Sequence, residues 1–175
     1  MIIGILADTH DRLPLVDKAV KRLNEEKASL VLHAGDYIAP FVIPHFKPLE
    51  ADFIGVFGNN DGDKDMLRKR FAEIGAEIRG KFAEIIIDGL KIAILHGEEG
   101  ELLRVLINAG GHDVVVHAHS HEAKTYMKGE TLVINPGKVC GYLSGRSTVA
   151  LLNTETLEVK IIQIDQVGVG SFGSV

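Results

Sequence analysis

Residues 2–7, Ile-Ile-Gly-Ile-Leu-Ala, form an almost unbroken apolar run that stops abruptly at Asp8-Thr9-His10. A run this short and this apolar predicts a strand buried on both faces, as in a sheet covered by helices. Alternate side chains of an extended segment point the same way, so Asp8 and His10 are expected to project together from the strand's carboxyl end. In open α/β sheets that end is where ligands bind. A single Asp–His pair can equally be a mutual hydrogen bond. The ends of the later strands decide between the two.

Val16, Ala19, Val20 and Leu23 make an i, i+3, i+4, i+7 stripe and predict a helix over 13–27, with Pro14 in its first turn. Apolar runs over 30–34 and 51–57 predict two more strands, ending in Gly35-Asp36 and Gly58-Asn59-Asn60-Asp61. A short element is expected around 40–46, where Pro44 leaves its helicity open. Another helix is expected from Asp63, its N-cap, to Phe71. This alternation implies a parallel sheet with right-handed crossovers. The second half differs. Strands over 84–88 and 90–95 flank the hairpin signal Asp88-Gly89. A helix over 98–109 is stopped by Gly110-Gly111. A strand over 114–116 ends in His117-Ala118-His119-Ser120-His121, and strand pairs follow over 124–128 with 131–134 and over 148–152 with 157–164. Crossovers first and hairpins later predict an α/β fold, a four-layer α/β/β/α sandwich of two mixed sheets. One domain is expected over 1–165, followed by a Gly/Ser-rich tail over 166–175 as a loose end.

A net charge of −5 and a pI of about 5.9 argue against an extended nucleic-acid surface or an anionic-membrane partner. No apolar run approaches the ~20 residues that span a bilayer. The single cysteine, Cys140, excludes an intrachain disulfide framework and a cysteine-cluster zinc site, and reads as a small buried hydrophobe. Cytoplasm is the expected compartment, and a small molecule the expected partner. A homo-oligomer is left open.

Five strands end in residues able to bind a metal: Asp8 and His10, Asp36, Asn59, His96, and the histidines of 117–121. Carboxylates, an amide and imidazoles, with no sulfur, suit Mn, Fe, Ni, Zn or Mg. Seven such groups exceed what one tetrahedral ion needs, so two ions fit better. Spacing does not say which two of His117, His119 and His121 take part. His33 is expected to be packed or hydrogen-bonded behind the site, and His45 and His112 to have surface or core roles. Arg12 and Lys138 read as solvated loop charges.

The ordered blocks D-x-H, G-D, G-N-x-D, H-G and [GA]-H-x-H resemble the signature of the calcineurin-like metallophosphoesterases across nearly the whole chain. The size is similar to that of the small archaeal and bacterial YfcE-type phosphodiesterases. The resemblance implies that Asp8, His10, Asp36 and His121 bind one divalent ion, and that Asp36 (as a bridge), Asn59, His96 and His119 bind the other. Manganese is foremost, with Ni, Fe, Zn or Mg as alternatives. Two such ions would polarise a bridging water for in-line attack on a phosphodiester. Two departures stand out: Ala118 replaces a common Gly, and Asn60 replaces a His that protonates the leaving group in many relatives. Asn60 can hold a phosphate oxygen through its amide but has no proton to give, which favours diesters or good leaving groups. Asn60 and Asp61 are therefore the candidate catalytic residues beyond the metal set. Asp61 is expected either to orient His10 or Asn60 or to cap the following helix. The alternatives are a non-catalytic scaffold on the same fold and a phosphomonoesterase. A metallo-β-lactamase-type hydrolase is disfavoured, because 117–122 lacks the Asp-His pair that scheme needs.

Overall fold

The computed structural model describes residues 1–165; the tail expected over 166–175 lies outside them. The first sheet contains β1 (Ile2–Leu6), β2 (Leu30–His33), β3 (Asp52–Gly55), β4 (Glu77–Ile78), β10 (Thr148–Asn153) and β11 (Val159–Gln163), in the order β11-β10-β1-β2-β3-β4. The second contains β5 (Phe82–Ile87), β6 (Leu90–Leu95), β7 (Val114–Val116), β8 (Ala123–Lys128) and β9 (Thr131–Pro136), in the order β5-β6-β7-β9-β8. Both are mixed: β1 runs parallel to β2 but antiparallel to β10, and β6 runs antiparallel to β5 but parallel to β7.

The apolar pattern explains the layering. Ile3 and Ile5 of β1, with Leu32 of β2, face Ile92, Ile94, Val114, Val116 and Ile134 of the other sheet. The opposite face of the first sheet, with Leu6, Val31 and Phe53, is covered by α1 (Leu13–Glu25) through Val16, Val20 and Leu23 and by α3 (Lys64–Ala72) through Leu67 and Phe71. On the outer face of the second sheet, Ala93, Leu95, Val115 and Val133 lie under Leu103, Leu106 and Ile107 of α4 (Gly100–Ala109). This is the expected α/β/β/α order. Each fully buried Ile, Leu or Val contributes on the order of 1.5–3 kcal/mol, and these side chains hold the two sheets together.

Local signals resolve most element ends. The Asp63 side chain accepts from the Met66 N–H at 2.9 Å and caps α3, as expected. Gly110 stops α4 with a φ of 64°. Pro44 starts rather than breaks a helix: a 3-10 turn at Pro40–Val42 leads into α2 (Ile43–Phe46), whose first turn holds it. β4 has only two residues and leaves no periodicity to read. Among the described residues, no helix is long and apolar enough to cross a membrane.

Candidate metal centre

The strand ends do not deliver their side chains by pleating. β1 stops at Leu6 and β2 at His33, before the residues expected to carry the chemistry. Asp8 (φ 53°), His10 (43°), Asp36 (64°), His119 (67°) and His121 (61°) all lie in the left-handed region, which costs a non-glycine residue about 1–3 kcal/mol. Left-handed turns, not alternation along a strand, bring Asp8 and His10 together. Backbone bonds between neighbouring loops hold these turns: Asp8 N–H donates to Gly35 C=O at 3.0 Å, His10 N–H to Asp36 C=O at 3.1 Å, and Asp11 N–H to Tyr37 C=O at 3.3 Å.

Asp61 performs neither of the tasks considered for it. Its buried carboxylate accepts four backbone N–H groups: Tyr37 (2.6 Å) and Ile38 (2.9 Å) on one oxygen, Asp36 (3.1 Å) and Gly58 (2.7 Å) on the other. It ties the turn after β2 to the turn after β3. Asp61 is thus a positioning residue for Asp36, and the following helix is capped by Asp63 instead. The same junction explains Gly58, since a Cβ there would run into Asp36 Oδ1.

Around this floor the imidazoles sort into two edge-on pairs. His10 lies against His121 with ring centroids 5.4 Å apart, and His96 against His119 at 5.2 Å. Asp8 Oδ1 is 3.2 Å from His121 Nε2, 3.6 Å from His10 Nε2 and 4.0 Å from His96 Nε2. Asp36 Oδ2 is 3.3 Å from His96 Nε2 and 3.5 Å from His10 Nε2. Ligand atoms of Asp8, His10 and His121 fall within 4.8 Å of one another, as do those of Asp8, Asp36 and His96. Asp36 reaches toward both imidazole pairs, as a bridge must. Asp8 does so too, because its left-handed turn swings the carboxylate inward; position in the sequence did not reveal this second central carboxylate.

The charge balance follows from these contacts. Burial works to raise the Asp36 pKa, but the His96 imidazole beside it and the hydrogen-bonding Asn60 hold it well below the usual carboxylate value. Burial opposes Asp8 ionisation in the same way, yet His10 and His121 keep its pKa low. His10 is raised by Asp8 against burial. His96 is raised by Asp36 and Asp8, again against burial.

His96 Nδ1 is 2.8 Å from Ala34 C=O, which makes Nδ1 a donor and turns Nε2 toward the site. His117 lies outside both imidazole pairs, with Nδ1 3.4 Å from Ala118 C=O and 3.5 Å from Asn135 Nδ2. His33 is buried, stacks on Tyr37 at 4.0 Å, and accepts from Gly35 N–H at 3.1 Å. His45 and His112 pair with Asp17 and Glu84 away from the site. The amide contact to Asp36 comes from Asn60: its Nδ2 donates to Oδ2 at 2.7 Å and its N–H to Oδ1 at 2.9 Å. Asn59 stands exposed on the same turn. Lys138 departs from expectation, being only 6 % exposed rather than a solvated loop charge.

Both oxygens of Asp8, and Nε2 of His10 and of His96, are buried without a hydrogen-bond partner. Buried polar atoms are rarely left so, and four of them gathered beside Asp36 fit a site made for cations. Oxygen and imidazole nitrogen donors without sulfur fit borderline and hard divalent metals.

Comparison with known proteins agrees with this geometry. A phosphodiesterase of Methanocaldococcus jannaschii is 41 % identical over 166 residues, covering 94 % of this chain and all of that protein. The solved structure of an archaeal phosphodiesterase, also 41 % identical, superposes with a TM-score of 0.89 over 93 % of this chain and 99 % of its own. The phosphoesterase YfcE of E. coli shares the fold, with a TM-score of 0.69 at 16 % identity over 94 % of this chain and 100 % of its own. The family described as the calcineurin-like phosphoesterase superfamily domain matches residues 1–157, spanning all five turns that carry the candidate ligands. By fold, by site and by sequence, the chain belongs to the calcineurin-like phosphoesterase superfamily.

Proposed function

We propose that the chain is a phosphodiesterase that uses two divalent metal ions to hydrolyse a small phosphodiester. The observation that carries this reading is the convergence of unpartnered buried donors from Asp8, His10 and His96 on Asp36, within two edge-on imidazole pairs. Asp8, His10, Asp36 and His121 would hold one ion, and Asp36, Asn59, His96 and His119 the other. When bound, such ions supply a nucleophilic water of lowered pKa and offset charge on the phosphoryl oxygens.

The remaining work falls to the chain itself. Asp8 and Asp36 balance only half the charge of two divalent ions, so the site attracts an anion within an acidic protein. Asn60 orients Asp36 through two hydrogen bonds and has no titratable proton for a leaving group. Esters that leave readily, diesters foremost, suit such a site better than alkyl monoesters. The family resemblance puts manganese first, and the mixed donor set suits Ni, Fe, Zn and Mg as well. The single buried cysteine supports a cytoplasmic setting. A homo-oligomer is compatible with this reading.

The test is a hydrolysis screen of bis(p-nitrophenyl) phosphate against an alkyl monoester, after chelation and with each metal restored in turn. Activity that chelation removes, that manganese restores best, and that favours the diester is expected. Protein that binds metal yet hydrolyses neither ester would support the scaffold alternative. Preference for the alkyl monoester would show that another residue supplies a proton.

A further inference from the structure

A cavity of about 910 Å³ opens beside the metal centre. His119, His121, Lys138, Leu143, Arg146 and Gln163 are among the residues that line it. Lys138 is 6 % exposed, and its backbone is fixed: its C=O accepts from Thr148 N–H at 2.8 Å, while the next two residues bond to Ala7 and Asp8. Among the described residues, the lysines in ion pairs are Lys21, Lys81, Lys91 and Lys160, and the arginines are Arg22, Arg68, Arg70 and Arg79. Neither Lys138 nor Arg146 is among them. Glu122 also lines the cavity, but it is exposed and enters none of these pairs. Lys138 and Arg146 thus line the cavity as cationic side chains outside these ion pairs, where an anion can meet both. By contrast, the cavity of about 340 Å³ beyond Gly97 is walled mainly by Phe82, Leu95, Leu102 and Leu106 and offers little to grip a phosphate.

We infer that this cavity receives a second anionic group of the substrate, so that the preferred substrate is a phosphodiester with a further phosphate on one ester arm. The inference rests on the phosphodiesterase reading and narrows its substrate class. A simple diester carries one negative charge. The metal pair less its two carboxylates already exceeds that, and Lys138 and Arg146 together outweigh Glu122 on the cavity lining. A second phosphate, held by charge-assisted hydrogen bonds from these two side chains, would place the scissile group against His119 and His121.

Two substrates that differ only in the second charge test this: the p-nitrophenyl ester of thymidine 5′-phosphate, and the same ester carrying a 3′-phosphate. The wild type is expected to prefer the second, and the ratio of the two kcat/KM values to fall about 10- to 100-fold in Lys138→Met. Arg146→Gln, at an exposed position where folding is not at risk, should lower the ratio about 3- to 10-fold. Binding is read separately, by calorimetric titration of thymidine 3′,5′-bisphosphate against thymidine 5′-phosphate. A bisphosphate preference that the variants lose supports the inference even if neither ester is hydrolysed, in which case only the phosphodiesterase reading fails. No preference in the wild type, or a preference unchanged in both variants, overturns the inference.

Discussion

The two sheets contribute to one site, but their loops are built differently. On the first sheet, the turns carrying Asp8 and Asp36 bury both carboxylates, are joined by backbone hydrogen bonds, and are clamped from below by Asp61. On the second sheet, exposure is graded: His96 is buried and bonded to Ala34, His121 is partly exposed, and His119 is exposed. Two carboxylates with ligand atoms within 4.8 Å of each other repel, so they need a rigid frame established before any cation arrives. Imidazoles bear no negative charge and need only orientation. The contrast separates a fixed anionic floor from a wall of ligands closer to solvent.

The floor should be the more sensitive region. Asp36→Asn is expected to lower activity by about 10³-fold or more and to weaken binding of both ions, whereas Asp8→Asn should weaken chiefly one. Elemental analysis of both variants under identical loading is the check. Equal losses would make Asp8 a second bridge, and two full equivalents retained in Asp36→Asn would remove the bridge from Asp36. On the wall, His119→Ala and His121→Ala should each cost about 10- to 100-fold in metal affinity, comparable to losing an orienting partner or more. His117→Ala should instead lower thermal stability with metal content intact. Metal lost in His117→Ala but kept in His121→Ala would reverse the assignment.

Beneath the floor the effects turn to stability. Asp61→Asn replaces an acceptor of four N–H groups by an amide that must turn a donor toward some of them, at a cost of about 3 kcal/mol. Asp63→Ala, which loses a single cap, should cost about 1 kcal/mol. Denaturant titration of the two variants checks whether the clamp outweighs the cap.

A further effect on stability depends on pH. Burial pushes the His33 imidazole down to about 3, whereas the unfolded chain protonates it near 6.5. Below pH 6.5 the unfolded state therefore gains a proton that the folded state refuses, and stability is lost as pH falls. By pH 5 this single group costs roughly 2 kcal/mol. His33→Gln should be less stable than wild type at pH 7.5, and the gap should narrow by about that amount at pH 5. A gap independent of pH would mean that His33 is protonated in the folded protein.

The sandwich was legible because its signals are local and repeated. Buried strands read as apolar runs, Asp88-Gly89 turns with φ of 51° and 82° as a two-residue hairpin requires, and Asp63 caps its helix. The candidate residues that the structure brings together, Asp8, His10, Asp36, His96 and His121, were also legible, because they recur at strand ends. How they are presented was not. Asp and His tolerate the left-handed region better than most residues, but nothing in the order Asp8-Thr9-His10 distinguishes a pleat from a left-handed turn. Asp61 was hidden for a related reason, since its partners are backbone groups and leave no side-chain signature. The burial of Lys138 depends on the packing of segments far apart in the chain, which no local pattern reports.

Anomalous-difference diffraction from crystals of the manganese-loaded protein tests the two-ion site most directly. Two peaks are expected, flanking Asp36, with His10 and His121 on one and His96 and His119 on the other. A single peak at full occupancy, or a pair coordinated without Asp36, would contradict it.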